Sequence, residues 1–152
     1  MFWCSGVATI VTAIFGVAGN LLSIIVLSQQ SMTSVFNHLL LLLCLSDLVF
    51  LLSNLAMSPV MMHYFLYPAH LYHASECVCH VALAASIFLT TSLSIERYQA
   101  VCLPHSYQYR LVKTGHKQLI AYYVLPAILL ACLLNIPRYL QLYHLLLLSH
   151  LF

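Results

Sequence analysis

The chain has 152 residues, of which 63% are apolar and only 5% charged. A soluble domain of this length carries charge on about a quarter of its residues, so a water-exposed globule is excluded and a bilayer is implied. Five basic and three acidic residues leave a formal charge of +2. The basic residues form no patch interleaved with aromatics, so the charge implies nothing about nucleic acid and none is expected as a partner.

Met1 is followed by apolar sequence without Lys or Arg, so the basic start of a cleavable signal is missing. The first hydrophobic run reads instead as a span that targets itself. Four runs are long enough to cross ~30 Å of hydrocarbon. They lie near Gly6–Leu27, His38–Met62, Cys77–Ile95 and Leu119–Ile136. Pro59 and Pro126 fall inside the second and fourth, where kinks are expected. Pro137 closes the fourth span. The Leu/His-rich tail, residues 139–152, is either an outer helical extension or sequence read past an exon end. The expected class is an all-α membrane protein, with residues 1–152 forming one domain.

The linker Ser28–Asn37 is short and polar, and His63–Glu76 is rich in His and Tyr. The linker Glu96–Gln118 holds Arg97, Arg110, Lys113 and Lys117, four of the five basic residues. The positive-inside rule puts that linker in the cytoplasm and the N-terminus outside. The scattered cysteines Cys4, Cys44, Cys77, Cys79, Cys102 and Cys132 mostly sit in apolar runs. There they read as small hydrophobes rather than a disulfide framework.

Two groups of residues carry candidate chemistry. Glu96 and Arg97 are adjacent where the third run meets water. Turned inward they form an electrostatic latch; left outside, Arg97 is an anchoring flank. Asp47 is the only acid well inside a span, a costly place for a carboxylate unless it is paired, hydrated or protonated. At 1.5 Å per residue, Asn20 lies roughly 9 Å above the inner boundary, Asp47 about 13 Å, and Ser86 roughly at the midplane. The three are either a pocket for a small cation or polar glue between helices.

Glu96-Arg97-Tyr98 followed by Ala-Val-Cys102-Leu-Pro104 resembles the Asp/Glu-Arg-Tyr signature of rhodopsin-like G-protein-coupled receptors. Gly19-Asn20 is similar to that superfamily's Gly-Asn motif, and Leu45-Ser46-Asp47-Leu48 to its Leu-x-x-x-Asp motif. Ser86, eleven residues before Arg97, matches the serine of the family's sodium pocket. Phe2-Trp3-Cys4-Ser-Gly6-Val and Asn135-Ile-Pro137-Arg138-Tyr139 resemble, more narrowly, the FMRFamide-type neuropeptide receptors of invertebrates. The resemblance implies that this domain is partial, the first four helices of a seven-helix bundle in the plasma membrane. It also implies a heterotrimeric G protein and an extracellular peptide as partners, a switch at Glu96, Arg97 and Tyr98, and Na⁺ as the ion of the Asn20, Asp47 and Ser86 pocket.

The departures set further expectations. Only four spans are present, so the chain reads as a fragment or truncated form that is not expected to signal alone. Tyr72 stands where the superfamily's extracellular disulfide begins, and the fourth span lacks the superfamily's common tryptophan. After Pro104, His105 replaces the bulky apolar residue that faces the G protein, which would weaken that contact.

The rival readings come from other classes. His70, His73, Cys77 and His80 fall on one helical face and are suitable ligands for Zn²⁺ or Cu. They form a column rather than a cage, so unpartnered loop histidines are the alternative. A four-span channel or transporter subunit predicts repeated polar faces, and none is seen. Ser-His-Asp, His-Glu-x-x-His and glycine-rich phosphate-loop patterns are absent, so an enzyme is not expected.

Overall fold

A computed structural model describes residues 2–29, 34–58 and 69–149. Pro59, Pro68 and the first part of the His-rich linker, residues 63–68, lie outside the described residues, and its remainder from Ala69 is helix. The described chain is helical: α1 (Phe2–Leu27), α2 (Val35–Ala56), α3 (Ala69–Cys102), α4 (Pro104–Thr114), α5 (His116–Leu134) and α6 (Ile136–Ser149). Four helices are long and apolar enough to cross a membrane: Gly6–Leu27, Val35–Ala56, Tyr72–Cys102 and His116–Leu134.

The largest difference from the hydropathy reading is α3. At 34 residues and 1.5 Å each it is about 50 Å long, well beyond ~30 Å of hydrocarbon. Hydropathy stops at Glu76 and Glu96, but a helix satisfies its own backbone and continues through both. Leu103 stops it: the residue before a proline is pushed out of the helical region, and its backbone is non-helical at φ −129°, ψ 52°. Pro104 then starts α4, where a missing N–H costs nothing. The linker expected after Glu96 is therefore largely helix.

Ser34 starts α2 three residues earlier than hydropathy suggests, because its hydroxyl accepts from the Asn37 N–H at 3.2 Å. Gly115, at φ +80°, joins α4 to α5, a conformation that favours glycine. Between α5 and α6, Pro137 cannot continue the ladder. The buried Asn135 side chain donates to the Ala131 carbonyl at 2.7 Å, and its own carbonyl accepts from the Arg138 and Tyr139 N–H groups. The tail beyond Tyr139 continues as α6 through Ser149.

Among the described residues α3 is the hub, touching α2, α4, α5 and α6, while α1 packs on α2 alone. Val35, Leu39, Leu93, Leu119 and Tyr123 form the buried core at the basic end, where α2, α3 and α5 meet. Phe36, Tyr107 and Leu111 pack against it, so α4 is clamped to the bundle. Ser92 donates to the Tyr123 carbonyl at 3.2 Å, in the turn preceding Pro126, where neighbouring helices commonly supply bonds that proline disrupts. Thr12, Ser23, Thr90, Thr91 and Ser94 each bond a carbonyl four residues back, which keeps hydroxyls satisfied away from water.

α1 and α2 approach closely at Gly16, where an added Cβ would stand 2.7 Å from a terminal methyl of Leu51. Gly16→Leu should destabilise the pair by about 1–3 kcal/mol through overpacking. Gly16→Ala should cost less, since the Leu51 tip can move. Thermal unfolding in detergent compares them, and a Gly16→Leu protein as stable as the parent would refute the close contact.

Candidate functional site

At the basic end Glu96 is 2% exposed although it stands beside an exposed arginine. One carboxylate oxygen accepts from the Tyr107 hydroxyl at 2.8 Å. The other, Oε2, is buried without a hydrogen bond and lies 3.8 Å from the Arg97 Nε. The Arg97 side chain is 52% exposed, with its guanidinium carbon 3.2 Å from the centre of the Phe36 ring on α2, a cation–π placement. Arg97 is thus held sideways by an aromatic face and a buried charge. Tyr98 points outward and is exposed, as are Pro104 and His105 on α4.

Burial, and then the bond to Glu96, push the Tyr107 phenol above its usual range. Ionising it would place a second negative charge against a buried carboxylate. A raised value means that the contribution of this group to stability is complete below the ordinary phenol value near 10. It is lost only as pH rises through the higher folded value, so the bond holds throughout the physiological range. Beside it the Tyr123 hydroxyl donates to Gln99 at 2.8 Å.

Within the bundle, Ser86 Oγ donates to Asp47 Oδ1 at 2.6 Å, joining α3 to α2. The Asn20 amide instead donates to the Gly16 carbonyl of its own helix at 3.0 Å. The structure therefore joins two of the three polar residues and satisfies the third locally, as an i−4 carbonyl is the nearest acceptor on an apolar helix.

At the opposite end Arg138 Nη1 meets Glu76 Oε1 at 3.1 Å. His73 Nδ1 lies 3.4 Å from the other Glu76 oxygen, and the Cys77 thiol donates to the Arg138 carbonyl at 3.6 Å. These contacts tie α3 to α6 where no disulfide is present: Cys77 and Cys79 are free, and Tyr72 lies in α3. Of the alternative metal ligands, His73 and Cys77 are engaged with these partners. His80 is half-buried, and the His70 side chain lies outside the described residues. Among the described residues no three of His, Cys, Asp and Glu are grouped to hold a metal. Asn54 on α2 donates to the Cys79 sulfur at 3.1 Å.

Three participants were not singled out by sequence: Tyr107, Phe36 and the Glu76–Arg138 pair. The last was signalled by charge count, since Glu76 is the second of three acids and Arg138 the last of five basic residues, set apart from the other four. The first two depend on helix phase and had no such signal.

A bundle of helices long and apolar enough to span a bilayer, with basic residues gathered at one end, marks a multi-pass membrane protein. The family described as 7 transmembrane receptor (rhodopsin family) matches residues 19–144, and the chain belongs to it. It is 33% identical over 113 residues to the FMRFamide receptor of Drosophila melanogaster, covering 68% of this chain and 21% of that protein. It is 37% identical over 95 residues to G-protein coupled receptor E1 of Equine herpesvirus 2 (strain 86/87), covering 58% of this chain and 24% of that protein. The chain thus spans about a fifth to a quarter of the curated relatives it matches.

Proposed function

We propose that this chain supplies the first four helices of a G-protein-coupled receptor for an extracellular peptide of the FMRFamide kind. It would sit in the plasma membrane with its N-terminus outside and its basic end in the cytoplasm. The observation that carries this is Glu96 buried against Tyr107 with Arg97 exposed beside it. A cation held at the cytoplasmic mouth by a breakable restraint is what a ligand-operated switch requires, because a ligand shifts populations only by favouring one arrangement over another. Glu96, Arg97 and Tyr98 form the switch, and Pro104 and His105 lie on the exposed face of α4 that would meet the G protein. Asp47 and Ser86 anchor the Na⁺ pocket, and Asn20 joins them if its side chain turns from Gly16. The bias of Arg97, Arg110, Lys113 and Lys117 to one end supports the orientation.

The test completes the chain with three helices from a relative and measures nucleotide exchange on a G protein. Phe-Met-Arg-Phe-amide, added from outside, should raise exchange. In the same preparation, Asp47→Asn should remove the sodium dependence of peptide binding. No exchange with any peptide, in a receptor shown to be folded and at the surface, refutes the reading. Unchanged sodium dependence in Asp47→Asn leaves the Asp47–Ser86 bond as a structural tie.

A further inference from the structure

We propose that the cavity between α3 and α6, at the end opposite the basic one, is a subsite for the carboxamide terminus of a peptide. This rests on the peptide-receptor reading and names the chemical group that the receptor selects. The cavity has a volume of about 330 Å³ and is lined by His73 and Glu76 from α3 and by Arg138, Gln141, Leu142 and His144 from α6. That is the lower end of the range for small-ligand sites.

The selectivity follows from the ion pair. Arg138 gives one terminal nitrogen to Glu76 Oε1 at 3.1 Å, and both side chains remain more than a third exposed. A guanidinium has five N–H donors and a carboxylate about four acceptor positions, so each retains capacity after meeting the other. The pair has no net charge and presents a donor beside an acceptor. A carboxamide is the neutral complement: its oxygen accepts from Arg138 while its N–H donates to Glu76. A free carboxylate would bring a second negative charge against Glu76 and has no N–H to donate. A cationic terminus would meet Arg138 in the same way. Leu142 gives the cavity an apolar wall for the last side chain of the peptide.

Sites that hydrogen-bond a polar group can reject analogues lacking it by ~10⁴-fold when buried. With both partners a third exposed, water weakens that discrimination to roughly tenfold or somewhat more. Gln141 adds a further amide at the rim, and the apolar terminus of the peptide would cover it on binding.

Both walls belong to this chain, so the subsite can be tested on it directly. The 152-residue chain in nanodiscs of neutral phospholipid is titrated with Phe-Met-Arg-Phe-amide and with the same peptide as free acid. The amide should bind at least tenfold more tightly. Glu76→Gln leaves Arg138 as an unopposed cation and should bring the ratio to one or invert it. Arg138→Gln leaves Glu76 to repel the free acid, and should weaken binding of the amide while keeping the preference. Arg138→Lys retains the ion pair but loses the planar fork, and should lower the ratio partway. Circular dichroism verifies that each variant keeps its helices. An amide preference that persists undiminished in folded Glu76→Gln overturns the subsite and leaves the peptide reading intact, as does equal affinity of the parent for both peptides. Failure of both peptides to bind, when the completed receptor still responds to the amide in the exchange assay, also overturns the subsite alone. Failure in both assays overturns the two together.

Discussion

Glu96→Gln, in a receptor completed with three helices of a relative, raises ligand-independent nucleotide exchange by roughly tenfold, within the usual range of allosteric coupling. The substitution keeps side-chain size and the acceptor for Tyr107, but removes the charge 3.8 Å from the Arg97 Nε. Arg97 then keeps only the Phe36 face, which is worth about 0.5–1 kcal/mol at an exposed site. Tyr107→Phe should act in the same direction by another route. It deprives a buried carboxylate of the one hydrogen bond it has, at a cost of about 1–3 kcal/mol. Arg97→Ala should abolish signalling while the protein still reaches the membrane. Exchange of radiolabelled nucleotide, with surface expression measured alongside, separates these outcomes. Flat basal exchange in both restraint variants, with full signalling by Arg97→Ala, would make the pair an ordinary helix flank.

Leu39→Ala should be the most damaging single change in the core. Leu39 is fully buried where α2 meets α3 and α5. Truncations at such positions cost about 2–5 kcal/mol in soluble proteins. The low end, about 2 kcal/mol, is expected here, because lipid removes the hydrophobic drive and leaves packing as the main term. The effect should extend to the placement of Arg97, since Phe36 precedes Leu39 by three residues on α2 and its ring faces the guanidinium. Leu52→Ala, at an exposed position of the same helix, is the control and should change stability by no more than about 0.5 kcal/mol. Thermal unfolding in detergent compares the two, and equal losses would count against a packed core at this end.

The disposition of charge explains why the two ends of the molecule differ. Eight formal charges serve 152 residues, and each acid has acquired a different neighbour. Asp47 takes the Ser86 hydroxyl, Glu76 takes Arg138, and Glu96 takes Tyr107. A carboxylate in an apolar environment is too costly to leave bare, so each of these three positions makes a specific polar contact between helices, beside those of Ser92, Tyr123, Asn54 and Cys77. The remaining hydroxyls mostly bond their own helices and leave the bundle to packing.

Much of this was legible in the chain alone. Four helical spans and the bias of basic residues to one linker follow from hydropathy and charge, which act residue by residue. The cost of charge in lipid singles out Asp47, and Glu96 and Arg97 were singled out by the resemblance of Glu96-Arg97-Tyr98 to the receptor signature. The true length of α3 did not follow, because hydropathy measures affinity for lipid whereas a helix continues wherever its backbone bonds are intact. Nor did the partners. Tyr107 meets Glu96, Phe36 covers Arg97 and Arg138 crosses to Glu76 because of how each helix is rotated about its axis against its neighbours. That rotation is set by packing among side chains distant in sequence, such as Val35, Leu93 and Leu119. Asn20 differs: sequence supplies its depth, and its bond to Gly16 is local to α1, made to the nearest carbonyl one turn back rather than across to Asp47.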